Sequence, residues 1–347
     1  MITASHSMTA VGLNAESTAV AIRAGISRLQ EWNEYTDIQG NPVLAASIPL
    51  ASADADAVER LQGLTTRCLG SLLEQYFNQL PYPIHTIHVL IGVAPLHRPG
   101  SRYEGEKEEL AKKLRLCVQR YAKQTTVHVI VSGNPSALDA LIQADKLLQT
   151  DPYGVCLVGA VDSLLDEETL DWFESAERLK TATFGRNHGL SPGEAVGFFA
   201  VETKIGALSR ARSALAVVRT ANIAHEPGAI TSQRPSIGEG LTTACRAALL
   251  QAGSRPENIA TVMGDLNGEF FRSKEWAYAA LRCLPETDTV RSLWHPADCM
   301  GDVGAASGAV LVNLAAVGLS RGWAKRQVLI FCSDDWGNRG IALLDKG

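Results

Sequence analysis

The sequence predicts an α/β protein with a largely parallel central sheet that is covered by helices on both faces. Apolar runs of strand length alternate with helical stretches along the 347 residues, which is the order expected of strand–helix–strand units. Two of these runs, Val155–Val161 and Gln327–Cys332, are apolar at almost every position, as strands buried on both faces are. The segment Ala305–Ser320 is small and apolar on nearly every side, which predicts a helix in the middle of a large core.

The same patterns place the other elements along the chain. Further strands are predicted at Ile87–Val93, Val127–Val131, Ala195–Glu202, Ala214–Thr220, Ile259–Met263, Arg291–Trp294 and Arg339–Leu344. Further helices are predicted at Ala15–Ala24, Ala57–Gln79, Glu106–Lys123, Pro135–Gln149, Gly238–Gln251 and Ser273–Cys283.

The order of elements repeats, although no sequence identity between the two parts is visible. We therefore expect two similar halves, residues 1–205 and 206–347, that form one compact unit. Each half closes with two adjacent strands, and the run Asp334–Asn338 predicts a tight hairpin in the second half.

Composition narrows the possible functions. A net charge of −5 without a Lys/Arg-rich run argues against nucleic acid as a partner. Seven scattered cysteines with no Cys-x-x-Cys pair argue against a disulfide framework or a zinc site and favour a reducing compartment. The sequence shows no signal peptide and no apolar stretch long enough to span a bilayer. The expectation is a cytoplasmic protein without a metal, and no nucleotide or other cofactor site is indicated.

Four stretches carry a resemblance to a known family. They are Thr9–Asn14 followed by Ala21–Ser27, then Gly159–Ser163 followed by Phe184–Asn187 and Pro192–Gly197, then Gly301–Gly308, and finally Cys332–Asn338. In this order, over nearly the whole chain, they resemble the thiolase-like condensing enzymes, especially the β-ketoacyl synthases. The resemblance implies a five-layer α/β/α/β/α fold built from two similar halves.

The resemblance breaks at the catalytic residues. The synthases use a nucleophilic cysteine at the start of a helix and two histidines that stabilise an oxyanion. The matching positions hold Asn134 at the start of the helix, Asp265 or Leu266 in the Gly264–Glu269 loop, and Asp302 before the last helix. An asparagine is not a nucleophile, and a carboxylate repels a developing oxyanion. We therefore assign no catalytic residues, and we name Asn134, Asp265, Asn267 and Asp302 the degenerate pocket.

Other interpretations of these residues remain open. Asn134 also suits a helix N-cap. Asp265, Glu269 and Asp302 could converge and perform acid/base chemistry. His295 and Cys299 lie four positions apart and could form a base and nucleophile.

A further resemblance concerns the loop Gly264–Glu269 and the residues that follow it to Trp276. They resemble a divergent thiolase-like group associated with type VI secretion effectors and their adaptor chaperones, which implies a chaperone or co-chaperone that loads an effector. Phe270, Phe271, Arg272 and Trp276 are of the residue types found at interface anchors and form a candidate interface.

Two other functions stay open: a catalytically silent partner of an active ketosynthase, like a chain-length factor, or an acyltransferase with a rebuilt site. The expected partner is accordingly a secretion effector, an adaptor chaperone or a homologous synthase subunit. The resemblance also implies a homo- or heterodimer formed through the strand Val127–Val131.

Overall fold

The computed structural model describes residues 1–49, 57–78, 84–101, 103–181, 188–285, 291–325 and 327–347. The motif segment Phe184–Asn187 lies outside these residues. The strands are β1 (Ile2–Thr9), β2 (Gln30–Thr36), β3 (Pro42–Ala45), β4 (Ile84–Gly92), β5 (Ala122–Ile130), β6 (Val155–Ser163), β7 (Glu194–Val201), β8 (Ala216–His225), β9 (Ile259–Gly264), β10 (Ser292–Trp294), β11 (Gln327–Ser333) and β12 (Asn338–Lys346). The helices are α1 (Ala15–Arg23), α2 (Ala57–Phe77), α3 (Tyr103–Val118), α4 (Ser136–Thr150), α5 (Glu167–Ser175), α6 (Lys204–Ser209), α7 (Glu239–Gln251), α8 (Phe270–Cys283), α9 (Ala297–Met300) and α10 (Ser307–Ser320).

The two halves share one sheet topology. The sheet order is β10-β9-β11-β12-β8 in the second half and β1-β7-β6-β4-β5 in the first. When the five sheet strands of each half are numbered along the chain, both halves show the same order from the outer edge inward: third, second, fourth, fifth and first. Neighbouring strands also run in the same relative directions in both halves. The two halves of the sheet are joined by the pairing of β1 with β8, at Ile2 and Ala216. The expected architectural repeat is present, while the boundary at 205/206 stays a prediction.

The expectation of a largely parallel sheet holds for only three strands of each half. β5, β4 and β6 run parallel, as do β10, β9 and β11, because helices connect them. The last strand of each half, β7 or β12, is antiparallel to its neighbours. In the second half the reason is the tight hairpin at residues 334–337, which reverses the chain directly.

Three helical layers enclose the two sheet halves. α2 and α3 pack on the first sheet through Leu69 and Leu114, and α7 and α8 pack on the second through Leu241 and Trp276. α4 and α10 lie between the sheets and share one core with residues of both. Every residue of α10 from Ser307 to Leu319 is buried, as its uniformly apolar sequence predicts.

All predicted strands and helices are present, with shifted ends. The helix predicted to reach Lys123 ends at Val118, and β5 begins at Ala122. The hairpin of β2 and β3, the helices α5, α6 and α9, and strand β1 were not predicted. β1 is missed because buried Ser5, Ser7 and Thr9 break its apolar pattern. In the described part of the chain, no helix is both long and apolar enough to cross a membrane.

Candidate functional site

The four residues of the degenerate pocket lie together where the two halves meet. Asn134 precedes α4, Asp265 and Asn267 follow β9, and Asp302 lies in the turn before α10. The Nδ2 atom of Asn134 donates to Oδ2 of Asp265 at 3.0 Å, and Nδ2 of Asn267 donates to Oδ2 of Asp302 at 2.7 Å. All four side chains are buried. The pocket residues therefore form hydrogen bonds with one another.

The N-cap interpretation of Asn134 is wrong. α4 begins at Ser136 after Pro135 at the cap position, and no side chain caps this end. The Asn134 amide instead points across the boundary between the halves to Asp265. The amide donor of Asn134 is used in a long-range hydrogen bond that local sequence cannot reveal.

Asp265 is held by Arg272 from α8. Its Oδ2 atom accepts hydrogen bonds from Arg272 Nη1 at 3.2 Å and from the Ser333 backbone at 2.8 Å, in addition to Asn134. Burial raises the pKa of Asp265 to about 6, against the opposing effect of the Arg272 charge. One oxygen of Asp265 thus accepts hydrogen bonds from three donors, while burial makes the ionised form of the carboxyl energetically unfavourable.

A second arginine, Arg178, joins the first half to the second. It follows α5, and its Nε and Nη2 atoms donate to the carboxylate of Glu269 at 2.6 and 3.0 Å. Nη1 and Nη2 donate to Asp335 at 2.9 and 3.1 Å. Arg272 also donates to Asp335, at 3.2 Å. Although burial acts in the opposite direction, the two guanidinium groups hold the pKa of Asp335 below its ordinary value.

Aromatic rings cover the guanidinium of Arg178. Its Cζ atom lies 5.4 Å from the ring of Trp172, 4.8 Å from Phe173 and 5.7 Å from Phe271. Trp172 in turn stacks on Trp336 of the C-terminal hairpin at 5.5 Å. Rings over a desolvated guanidinium stabilise its charge and keep water away from it.

The turn that carries Asp302 is fixed by backbone contacts. Asp302 Oδ1 accepts from the Gly304 backbone at 2.9 Å, and its own backbone pairs with Ser191 and Gly193. Asp162 at the end of β6 accepts from the Ala305 backbone at 2.7 Å and from both Nη atoms of Arg98. The Asp302 carboxylate is therefore held in one position beside Asn267.

Little empty space remains beside these residues. A cavity of 10 Å³ lies between Asp265, Asp302, Met300 and Leu311. A single water needs about 10–15 Å³, and small-molecule sites usually exceed ~300 Å³. Within the described part of the chain, the space between Asp265 and Asp302 is therefore too small for a small-molecule ligand.

Comparison with known proteins identifies the architecture. A chain of a type II polyketide synthase complex, an acyl-carrier protein with its ketosynthase bound to a hexaketide, matches with a TM-score of 0.83 at 14% identity, covering 100% of this chain and 98% of that one. A chain of the ishigamide ketosynthase/chain length factor matches with a TM-score of 0.80 at 14% identity, with coverage of 100% and 98%. A chain of a ketosynthase in complex with its chain length factor from Xenorhabdus doucetiae matches with a TM-score of 0.77 at 15% identity, with coverage of 100% and 97%.

The chain has the thiolase-like fold. This confirms the predicted fold class of an α/β protein with two similar halves. No protein-family model and no curated protein matches the chain.

Within this thiolase-like fold, the hydrogen bonds that hold the described pocket residues involve no cysteine or histidine. Cys332 is the thiol beside Asp265 and Asp302, and complete burial raises its pKa well above its ordinary value, so it stays protonated. Asp265 and Glu269 each form an ion pair with a buried arginine, so both carboxylates are already engaged within the network.

The alternative pair of His295 and Cys299 does not form a base and nucleophile. His295 Nδ1 lies 2.8 Å from Asp298 Oδ2. Burial and the Asp298 charge raise the pKa of the Cys299 thiol. Both residues line a separate open cleft of 390 Å³ with Arg23 and Trp294. A protonated, buried thiol is a poor nucleophile.

The candidate interface is wrong for two of its four residues. Arg272 is 5% exposed and belongs to the ion network, and Trp276 is 8% exposed and stacks on Phe331 at 4.0 Å. Their aromatic and cationic character serves the interior of the thiolase-like fold. Phe270 is 75% exposed, and Phe271 is half-buried against both arginines.

Sequence reasoning missed Arg178 and the roles of Glu269 and Asp335 as its partners. Arg178 lies near a run of acidic residues, and nothing local shows that it is buried. The sequence did contain a signal for helix α5, which precedes Arg178. Asp166 and the glutamates after it are typical of a helix start, and Asp166 accepts from the Thr169 backbone at 2.9 Å. No cluster of three or more His, Cys, Asp or Glu side chains arranged for a metal ion occurs among the described residues.

The raised pKa of Asp265 predicts a pH dependence of stability. Its folded pKa of about 6 exceeds its ordinary value of 3.8, so its stabilising contribution is complete below pH ~4 and is lost as pH rises through about 6. We expect an Asp265→Asn variant to lack this loss, so that the wild type loses on the order of 2 kcal/mol relative to the variant between pH 4 and 7. Urea unfolding at each pH measures the difference. Parallel curves for the two proteins would contradict the assignment.

Proposed function

We propose that this protein is non-catalytic and acts by binding another protein. The observation that carries the proposal is the filled pocket. Two guanidinium groups, their carboxylates and two asparagines occupy the positions where the resemblance to synthases would put the reacting groups. Among the described residues, the cavity between Asp265 and Asp302 has a volume of 10 Å³, which is too small for an acyl chain.

The charges support the same conclusion. Condensation through a thioester needs a thiolate and donors for an oxyanion. Asn134 supplies no nucleophile, while Asp265 and Asp302 place carboxylates where donors are required. A condensing activity would require these three residues and the arginines of the network to be replaced together.

The role that we propose is that of a chaperone or co-chaperone in loading a type VI secretion effector. This follows from the resemblance of the Gly264–Trp276 segment. The partner is then the effector or its adaptor chaperone. The cysteines of the described structure are free thiols, which suits a reducing compartment, and we place the protein in the cytoplasm.

A second candidate is a silent partner of an active ketosynthase, like a chain-length factor. Two of the similar structures are described as ketosynthases with chain length factors, which favours this candidate. The filled pocket disfavours any version of it that must measure or hold an acyl chain. An acyltransferase with a rebuilt site is disfavoured for the same reason.

The experiment measures turnover and partner binding on the same preparation. We expect no condensation from acyl-CoA or acyl-carrier substrates with malonyl donors, and capture of a protein from native cells by crosslinking and mass spectrometry. Capture of an effector or adaptor supports the chaperone role, and capture of a ketosynthase supports the second candidate.

Two results would overturn the proposal. One is turnover that persists through purification and is lost in Cys299→Ala or Asp302→Ala. The other is the absence of any specific partner in cells that produce the protein.

A further inference from the structure

One face of the first half combines half-buried aromatic side chains with a high concentration of carboxylates. Its two segments are the β2–β3 hairpin, residues 30–45, and α5 with its flanks, residues 163–177. The first contains Glu31, Glu34 and Asp37 and the second contains Asp166, Glu167, Glu168, Asp171, Glu174 and Glu177, and neither contains a lysine or arginine.

Contacts show that the two segments form one continuous surface. Tyr35 Oη donates to Asp171 Oδ1 at 2.8 Å, and the Ile38 backbone donates to Glu174 Oε1 at 3.3 Å. Trp32, Tyr35 and Trp172 pack on a small core of their own. We name the surface of these residues, with Trp336, the acidic aromatic face.

The face continues to the candidate interface of α8. Trp172 stacks on Trp336, and Arg178 contacts the rings of both Trp172 and Phe271. Phe270, which precedes Phe271 at the start of α8, is 75% exposed. Trp32, Tyr35, Trp172 and Trp336 are each only partly buried, and Ile38 is 85% exposed. Half-buried aromatic rings in fixed positions are the side chains that anchor protein interfaces.

The carboxylates of the face are available to a partner. Glu31, Glu34, Glu167, Asp171 and Glu177 are exposed. The ion pairs found within the described residues do not include any of them. Exposed like charges that lie close together favour a cationic ligand, and salt weakens this attraction by screening it.

We propose that the acidic aromatic face binds a cationic amphipathic segment of a partner protein, in which lysines or arginines alternate with apolar side chains. The rings would receive the apolar side chains, and the surrounding carboxylates would pair with the cations. This inference rests on the proposed function, because it assigns the surface through which the partner is bound.

The test uses a fluorescein-labelled amphipathic peptide of lysine, leucine and tryptophan, and a matched peptide with glutamate in place of lysine. Fluorescence anisotropy should show binding of the cationic peptide alone, weaker at high salt. Glu31→Lys/Glu34→Lys should weaken it ~10-fold or more, and Phe270→Ser several-fold. The matched controls Glu108→Lys/Glu109→Lys on α3 and Leu250→Ser on α7, which change exposed residues on other faces, should bind like the wild type.

No binding of the cationic peptide, or equal weakening by both charge reversals, would overturn the inference. The same variants separate it from the proposed function when used to capture the native partner. A partner retained fully by Glu31→Lys/Glu34→Lys refutes this face and leaves the proposed function standing. A protein that captures no partner in any form refutes the proposed function itself.

Discussion

Replacing Arg178 by leucine is expected to lower the free energy of unfolding by about 3–5 kcal/mol. The substitution removes four hydrogen bonds and leaves the buried carboxylates of Glu269 and Asp335 short of a counter-charge. A buried charge without a partner costs far more than a buried pair gains, so the loss exceeds the value of the contacts themselves. Urea unfolding followed by circular dichroism measures the change.

Arg219→Leu is the matched control for this prediction. Arg219 lies 3.6 Å from Asp345, but its side chain is 47% exposed, so its loss should cost less than about 1 kcal/mol. Adding Glu269→Gln to Arg178→Leu should recover part of the loss, because one uncompensated charge is removed. If both arginine variants unfold at the same urea concentration as the wild type, the ion network does not support the fold.

Aspartates at Thr126 and His128 are expected to convert a dimer into a monomer. β5 is the last strand of its sheet half and, within the described structure, pairs with β4 alone, which leaves one backbone edge open. In a symmetric pair the same strand of each copy faces the other, so added aspartates would lie close to aspartates of the partner. Thr126 and His128 are exposed, so the monomer should tolerate the change.

Light scattering at micromolar concentration reports the mass, alone and with each candidate partner. The control places Ser292→Asp/Leu293→Asp on β10, the strand at the opposite end of the sheet, where the dimer should persist. A wild type that is monomeric under all these conditions contradicts the predicted dimer, and a variant that stays dimeric contradicts the choice of strand.

The fold was predictable because its signals are local and redundant. The burial of α10 follows from a run in which no face is polar, and the alternation of strands and helices follows from period and length. Strand β1 was missed because its serines and threonine have partners that sequence does not show. Ser7 Oγ accepts from Asn313, and Thr9 bonds to Thr18.

The sequence predicted which positions form the site, but not the contacts that their side chains make. Matching to the family brought Asn134, Asp265, Asn267 and Asp302 to one place, but their partners come from residues distant in the chain. Arg178 is 91 positions from Glu269 and 157 from Asp335. An arginine or tryptophan that is buried by such long-range contacts has the same local sequence as one at the surface, which is why Arg272 and Trp276 were misplaced.

The interlocked pocket also bears on how such a sequence can change. Introducing a cysteine at 134 and histidines at 265 and 302 one at a time would remove a donor to Asp265, an acceptor of Arg272 or the partner of Asn267 before any cavity had opened. The effects of substitutions at neighbouring positions of one ion network on stability are not additive. Each sequence with only one or two of these changes is therefore expected to be less stable than either end point. A condensing activity would therefore be gained only through sequences of low stability, whereas the exposed carboxylates of β2 and α5 can be exchanged singly at little cost. Substitution is therefore expected to be slow in the pocket and fast on the acidic aromatic face, except where a partner constrains it.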